Sequence, residues 1–210
     1  VHDMFRDNGI SLPPNLIVIG TVNMDETTFS FSRKVVDRAM TIEMNEVDLY
    51  GGLTSQYEQI GKLGIAELIG TAVEGVDVYS QNKAVCDKCL GYLEKVNAVL
   101  DGTPFKVAYR TRNEFLLYVV NNLPYNKDAV GNDLDEDFII ARALDEITNM
   151  KILSRIEGDE SKVSKNFLKS LSDTIKTELD AIVVLNNSIS LAKLEEMSNK
   201  LESGYTSFWS

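Results

Sequence analysis

Apolar residues change their spacing once along this chain. Up to about residue 50 they cluster or alternate, and beyond it they recur every third or fourth position. Leu16, Ile17, Val18, Ile19 and Val22 form a near-continuous apolar run after Pro13-Pro14. Such a run predicts a strand buried on both faces, as in a parallel sheet covered by helices. Met40, Ile42 and Met44 alternate with Thr41 and Glu43, which predicts a second short strand, and Gly51-Gly52 then breaks the chain. The remainder predicts helices. One covers residues 56–72, despite Gly61, Gly64 and Gly70. Others cover residues 82–100, with Val85, Cys89, Leu93, Val96 and Leu100 on one stripe, and residues 112–123, with Phe115, Leu116, Val119 and Leu123. A long helix over residues 135–156 carries Ile140, Leu144, Ile147 and Met150, with an interruption expected near Asn149; another spans residues 164–185. The last starts at a Ser190 cap, carries Leu191, Leu194, Met197 and Leu201, and stops at Gly204. The expected architecture is an α/β start, residues 1–50, followed by a helical bundle, residues 51–210, mostly α overall.

Composition narrows the function classes. At 210 residues and 44% hydrophobic, the chain is of globular type. No apolar run approaches the roughly 18 residues that a membrane helix needs. It opens on Val1 with no signal pattern, so the expectation is a piece of a longer protein in the cytoplasm. Two cysteines and one histidine fit a reducing compartment without a disulfide framework. A net charge of −11 opposes contact with nucleic acid through this segment.

The first strand raises the question of chemistry. In open parallel sheets, ligands bind beyond the carboxyl ends of the strands. Asn23 ends such a strand, where an amide can orient a water or touch a phosphate oxygen without adding charge. The same residue type also ends strands and starts turns with no ligand present. Asp25-Glu26 do not suit a Mg²⁺-binding strand, because they follow two residues later, in the turn. No G-x-x-x-x-G-K-[ST] occurs in the chain. By itself the chain is therefore expected to hydrolyse no nucleotide.

The stretch "PPNLIVIGTVNMDETTFSFSRKVVDRAMTIEM" resembles the sensor-1 to arginine-finger region of AAA+ ATPases, closest to the motor subunits of McrB-type, modification-dependent restriction systems. The resemblance continues through "PFKVAYRTRNEFLLYVV", "ALDEITNMKILSRIEGDE" and "LEEMSNKLESGYTSFW" and covers most of the chain. It implies that residues 1–50 are the end of an AAA+ core with parallel strands, and that residues 51–210 are its helical lid. It implies a sensor role for Asn23 and an arginine-finger role for Arg38, reaching into a neighbouring subunit. A planar, permanently charged fork suits a transition state of spreading negative charge. Read from the residues alone, a surface ion pair of Arg38 with Asp37 or Glu43 is the favoured reading, and Arg33 and Lys34 are weaker finger candidates. By the same resemblance Arg112, or else Arg110, would take the sensor-2 place over bound nucleotide; neither is there for the helix, since a cation in a first helical turn opposes the macrodipole. An ion pair of Arg112 with Glu114 or a neighbouring acid is the alternative. The implied cofactor is ATP or GTP with Mg²⁺, held only with an upstream phosphate loop. The implied partners are a homo-oligomeric ring, a nuclease subunit of the McrC type, and DNA through other domains or subunits. The restriction GTPases carry a run of arginines where this chain has Val36-Asp37-Arg38, so ATP and GTP both stay open.

Other patterns point to structure. Cys86-x-x-Cys89 falls inside a helical stripe, and a lone histidine leaves zinc short of ligands. The acidic residues between Asn132 and Asp137 suit a loop and a helix start. Phe208 and Trp209 are expected to dock on the bundle. The competing function is a stand-alone helical interaction module without catalysis.

Overall fold

The computed structural model describes residues 9, 16–23, 31–44, 49–50, 53, 74–128 and 130–209. The chain divides into two compact units, Val1–Asn23 with Asn45–Thr71, and Met24–Met44 with Ala72–Ser210. This division cuts across the expected one at residue 50, because residues 31–44 pack with the helices. The helix expected over residues 56–72 lies outside the described residues.

In the first unit, residues 16–23 adopt neither helix nor strand. Val18 and Ile19 are 85% and 86% exposed, the opposite of a strand buried on both faces. Burial of that kind requires neighbouring strands to pair with, and no strand pairing to 16–23 forms among the described residues.

The second unit is mainly α. Its elements are α1 (Arg33–Val36), α2 (Gly75–Tyr79), α3 (Lys83–Val99), α4 (Tyr109–Asn122), α5 (Glu136–Lys151), β1 (Glu157–Asp159), α6 (Lys165–Asp180), α7 (Ile189–Lys200) and β2 (Tyr205–Ser207). Short 3₁₀ turns, Leu153–Arg155 and Leu201–Ser203, follow α5 and α7. Three of the long helices, α5, α6 and α7, have a side-chain cap where they begin. Asp135 accepts from the Asp137 amide at 2.8 Å, and Glu136 and Asp137 lie in the positive first turn of α5. Ser164 accepts from the Phe167 amide at 3.1 Å to start α6. The α7 cap is Ser188, which accepts from Leu191 at 3.2 Å, and not Ser190 as expected. Ser190 is instead buried, because a carboxylate on α5 draws its hydroxyl and amide inward.

α3 packs on α4 and α6, α4 on α5, and α7 on α5 and α6. The shared core includes Cys89, Val96, Phe115, Ile140, Leu144 and Ile175. At the chain's end, Gly204 takes a left-handed φ of 94°, a conformation that glycine adopts without cost. The reversal lets β2 pair antiparallel with β1, Gly158 opposite Thr206. The Phe208 amide then donates to the Ile156 carbonyl at 3.2 Å, and the Phe208 ring is fully buried. The tail docks on the bundle as expected.

Met40, Ile42 and Met44 do alternate with their neighbours, but in the opposite sense to that expected. Thr41 is 8% exposed and Ile42 76%. Residues 40–44 form no strand; Thr41 turns inward and Glu43 is only partly exposed. Glu43 can turn inward because a buried cation, Lys193, stands ready to meet it.

Candidate functional site

Arg38 follows the single turn of α1. Val36 is buried and anchors that turn, and the backbone N–H groups of Arg38 and Ala39 both donate to the Val35 carbonyl, at 2.9 and 3.0 Å. The loop is then held from below by three cations of the helical bundle. Lys151, the last residue of α5, is 1% exposed and donates through Nζ to the carbonyl oxygens of Asp37 at 3.2 Å and Ala39 at 2.9 Å. These two carbonyls bracket Arg38. Arg155 places Nε 3.0 Å from Asp37 Oδ1, and Lys193 donates to Glu43 Oε1 at 2.8 Å. The Arg155 contact is a charge contact and not an aligned hydrogen bond, since its N–H finds no acceptor. Lys193 also meets Glu196 at 2.8 Å and the Phe208 carbonyl at 3.3 Å. Phe31 adds an edge contact to Trp209, with ring centroids 5.5 Å apart.

The consequence for Arg38 is specific. Asp37 and Glu43, the acids that could have neutralised it, are engaged by Arg155 and Lys193. Arg38 itself is exposed, and it enters no ion pair among the described residues. Its backbone is fixed while its charge faces outward.

The two other arginines lie in the first turn of α4. Arg110 is exposed. Arg112 is half-buried and locally engaged: Nε and Nη2 donate to Asn113 Oδ1 at 3.2 and 2.8 Å, and the guanidinium lies 5.0 Å from the Tyr109 ring centroid. The alternative pairing of Arg112 with Glu114 does not form. Glu114 Oε2 lies instead 2.9 Å from Lys151 Nζ. Lys151 thus joins α4, which carries both arginines, to the loop that carries Arg38. Asn23 belongs to the first unit and is exposed at the end of residues 16–23.

A family model described as "Domain of unknown function (DUF8727)" matches residues 69–205. The chain belongs to the DUF8727 family. No curated protein and no solved structure matches it. The DUF8727 span holds α2 to α7, and with them Arg110, Arg112, Glu114, Lys151, Arg155 and Lys193; Asn23 and Arg38 precede it.

Within the DUF8727 span, sequence reasoning missed Lys151, Asp145 and Lys193. Each is a charged residue on a helix face that is otherwise buried, and this break in the apolar stripe was the available signal. Asp145, 3% exposed, accepts from the Ser188 and Ser190 hydroxyls and from the Ile189 and Ser190 amides. It therefore satisfies the open N-terminal amides of α7, a structural task.

The cysteines of the DUF8727 domain behave as core. Burial is the first cause that raises both thiols, and Cys89 is pushed up to about 12. A thiol raised on folding favours the native state below its unfolded pKa, and that contribution is lost as pH rises from there toward 12. At pH 8 a thiol reagent should label Cys89 only at the rate of unfolding, whereas denatured chain should react at once. Rapid stoichiometric labelling of both cysteines in native protein would contradict this burial.

Proposed function

We propose that this chain is the C-terminal part of an AAA+ NTPase motor, of the McrB type or a close relative, in which Arg38 serves as the arginine finger. The observation that carries the reading is Arg38 itself, an exposed guanidinium on a backbone held from both sides, with both adjacent acids taken by other cations. A surface ion pair would have used Asp37 or Glu43. A group that must reach a phosphate on another subunit needs an unneutralised charge on a fixed stem. In the same reading Arg110 or Arg112 leans over nucleotide, and Arg110 is the more exposed of the two. ATP or GTP with Mg²⁺ would be held by an upstream phosphate loop, in a homo-oligomeric ring. A nuclease subunit of the McrC type and DNA contact through other domains complete the proposal.

Asn23 tests the reading independently of Arg38. In the full-length protein, Asn23→Ala should lower kcat by roughly 10- to 1,000-fold with little loss of nucleotide affinity, as for one group that positions the attacking water. Abolished binding with an intact rate per bound nucleotide would make Asn23 a binding or structural residue instead.

A stand-alone helical interaction module is the second reading. In this reading the helices of residues 69–205 bind a partner, and neither Asn23 nor Arg38, which precede that span, has a catalytic task. Nucleotide turnover by the full-length protein, dependent on Arg38, separates the two.

A further inference from the structure

We infer that Lys151 is a positioning residue for Arg38, held in place by Glu114, so that the α4 helix and the finger loop act as one mechanical piece. The inference rests on the arginine-finger reading of Arg38 and adds to it the device that presents the finger.

Burying an ammonium group is costly unless it is fully partnered. A leucine at position 151 would have continued the apolar face of α5, with Ile147 buried one turn before it. Lys151 instead reaches back 114 and 112 residues to two main-chain carbonyls, Asp37 and Ala39, one on each side of Arg38. Side-chain contacts to that loop, such as Arg155 with Asp37, tie down a carboxylate on a flexible stem. Lys151 binds the backbone itself. The Asp37 carbonyl on Lys151 fixes the peptide plane before Arg38, and the Ala39 amide, donating to the Val35 carbonyl at 3.0 Å, fixes the plane after it. The Ala39 carbonyl on the same Lys151 nitrogen holds the next plane, and together they set the direction in which the Arg38 side chain leaves the loop. An ammonium group has three donors. Two go to the carbonyls, and the 2.9 Å charge contact with Glu114 on α4 holds the head of the lysine in place. The C-terminal end of α5 adds a negative dipole that favours the cation there.

Displacement of a reacting group by about 1 Å can cost on the order of 100-fold in rate. In the full-length protein, Lys151→Met should therefore lower kcat for ATP or GTP by about 100-fold, while KM and ring assembly stay near wild type. The decisive readout is a double-mutant cycle with Arg38→Ala. If Lys151 works through Arg38, Lys151→Met should cause no further loss once Arg38 is gone. An equal fold-loss in both backgrounds would mark a general structural role and overturn the inference. So would a wild-type kcat for Lys151→Met. Should Lys151→Met fail to fold, Glu114→Gln decides by the same cycle, because it leaves Lys151 and both carbonyl contacts intact. Its loss, expected to be about 3- to 10-fold for one weakened contact, should vanish in the Arg38→Ala background; a loss that persists there, or none at all, overturns the inference. The two proposals fail differently. A near-normal kcat for Arg38→Ala removes the finger assignment, whereas a slow Arg38→Ala beside a fast Lys151→Met removes only the role of Lys151.

Discussion

Arg38→Ala should give a full-length protein that folds, binds nucleotide and assembles, yet turns over about 10³- to 10⁵-fold more slowly. The fold should survive because the Arg38 side chain is exposed. What holds the loop is its backbone and its neighbours: Val36, the two carbonyls on Lys151, and Asp37 on Arg155. All of these remain in the variant. The size of the loss discriminates, since an exposed ion pair is worth roughly 0 to 1 kcal/mol and its removal would pass unnoticed in a rate assay. A finger acts on the neighbouring subunit, so the deficit should be repairable in mixed rings. Combining Arg38→Ala subunits with subunits whose phosphate loop is disabled should restore part of the activity, because an intact Arg38 then faces an intact loop. Mixed rings that form but remain inactive would count against action in trans. A single variant with near-normal turnover would end the assignment.

Asp145→Leu should destabilise the helical unit by about 3 kcal/mol, without any nucleotide being involved. The carboxylate accepts two main-chain amides and two hydroxyls at the start of α7. The hydroxyls can rotate to other acceptors, although Ser190 is fully buried. The amides of Ile189 and Ser190 cannot move without unwinding the first turn of α7. Leucine fills the volume, so the loss reports unsatisfied donors and not a cavity. For a domain of this size the melting temperature should fall by roughly 6 to 12 °C. Asp145→Asn retains an acceptor oxygen and should recover part of the loss. α7 carries Lys193, so the same variant should loosen the Glu43 anchor, visible as faster amide exchange around residue 43. A melting temperature within about 2 °C of wild type would show that the α7 amides find other partners.

The sequence by itself determined the five long helices, α3 to α7. Stripes such as Val85, Cys89 and Val96 on α3, or Leu168, Leu171 and Ile175 on α6, are local facts of 3.6-residue periodicity, and the Asp135 and Ser164 caps act within three residues. The mostly α architecture, the buried cysteines and the docking of Phe208 followed from such patterns. The strands did not follow, because a strand is completed by partners elsewhere in the chain. Residues 16–22 and 40–44 carry strand patterns, yet burial of Thr41 beneath an exposed Ile42 was decided by the surface they met. Candidate arginines could be named from the sequence, but not their state. Whether Arg38 is neutralised depends on Arg155 and Lys193, and whether its loop is fixed depends on Lys151, all more than 100 residues away. A residue's type limits the bonds it can form, but only the tertiary fold decides which partners reach it first. Here that competition gave the acids beside Arg38 to other cations and left its charge facing outward.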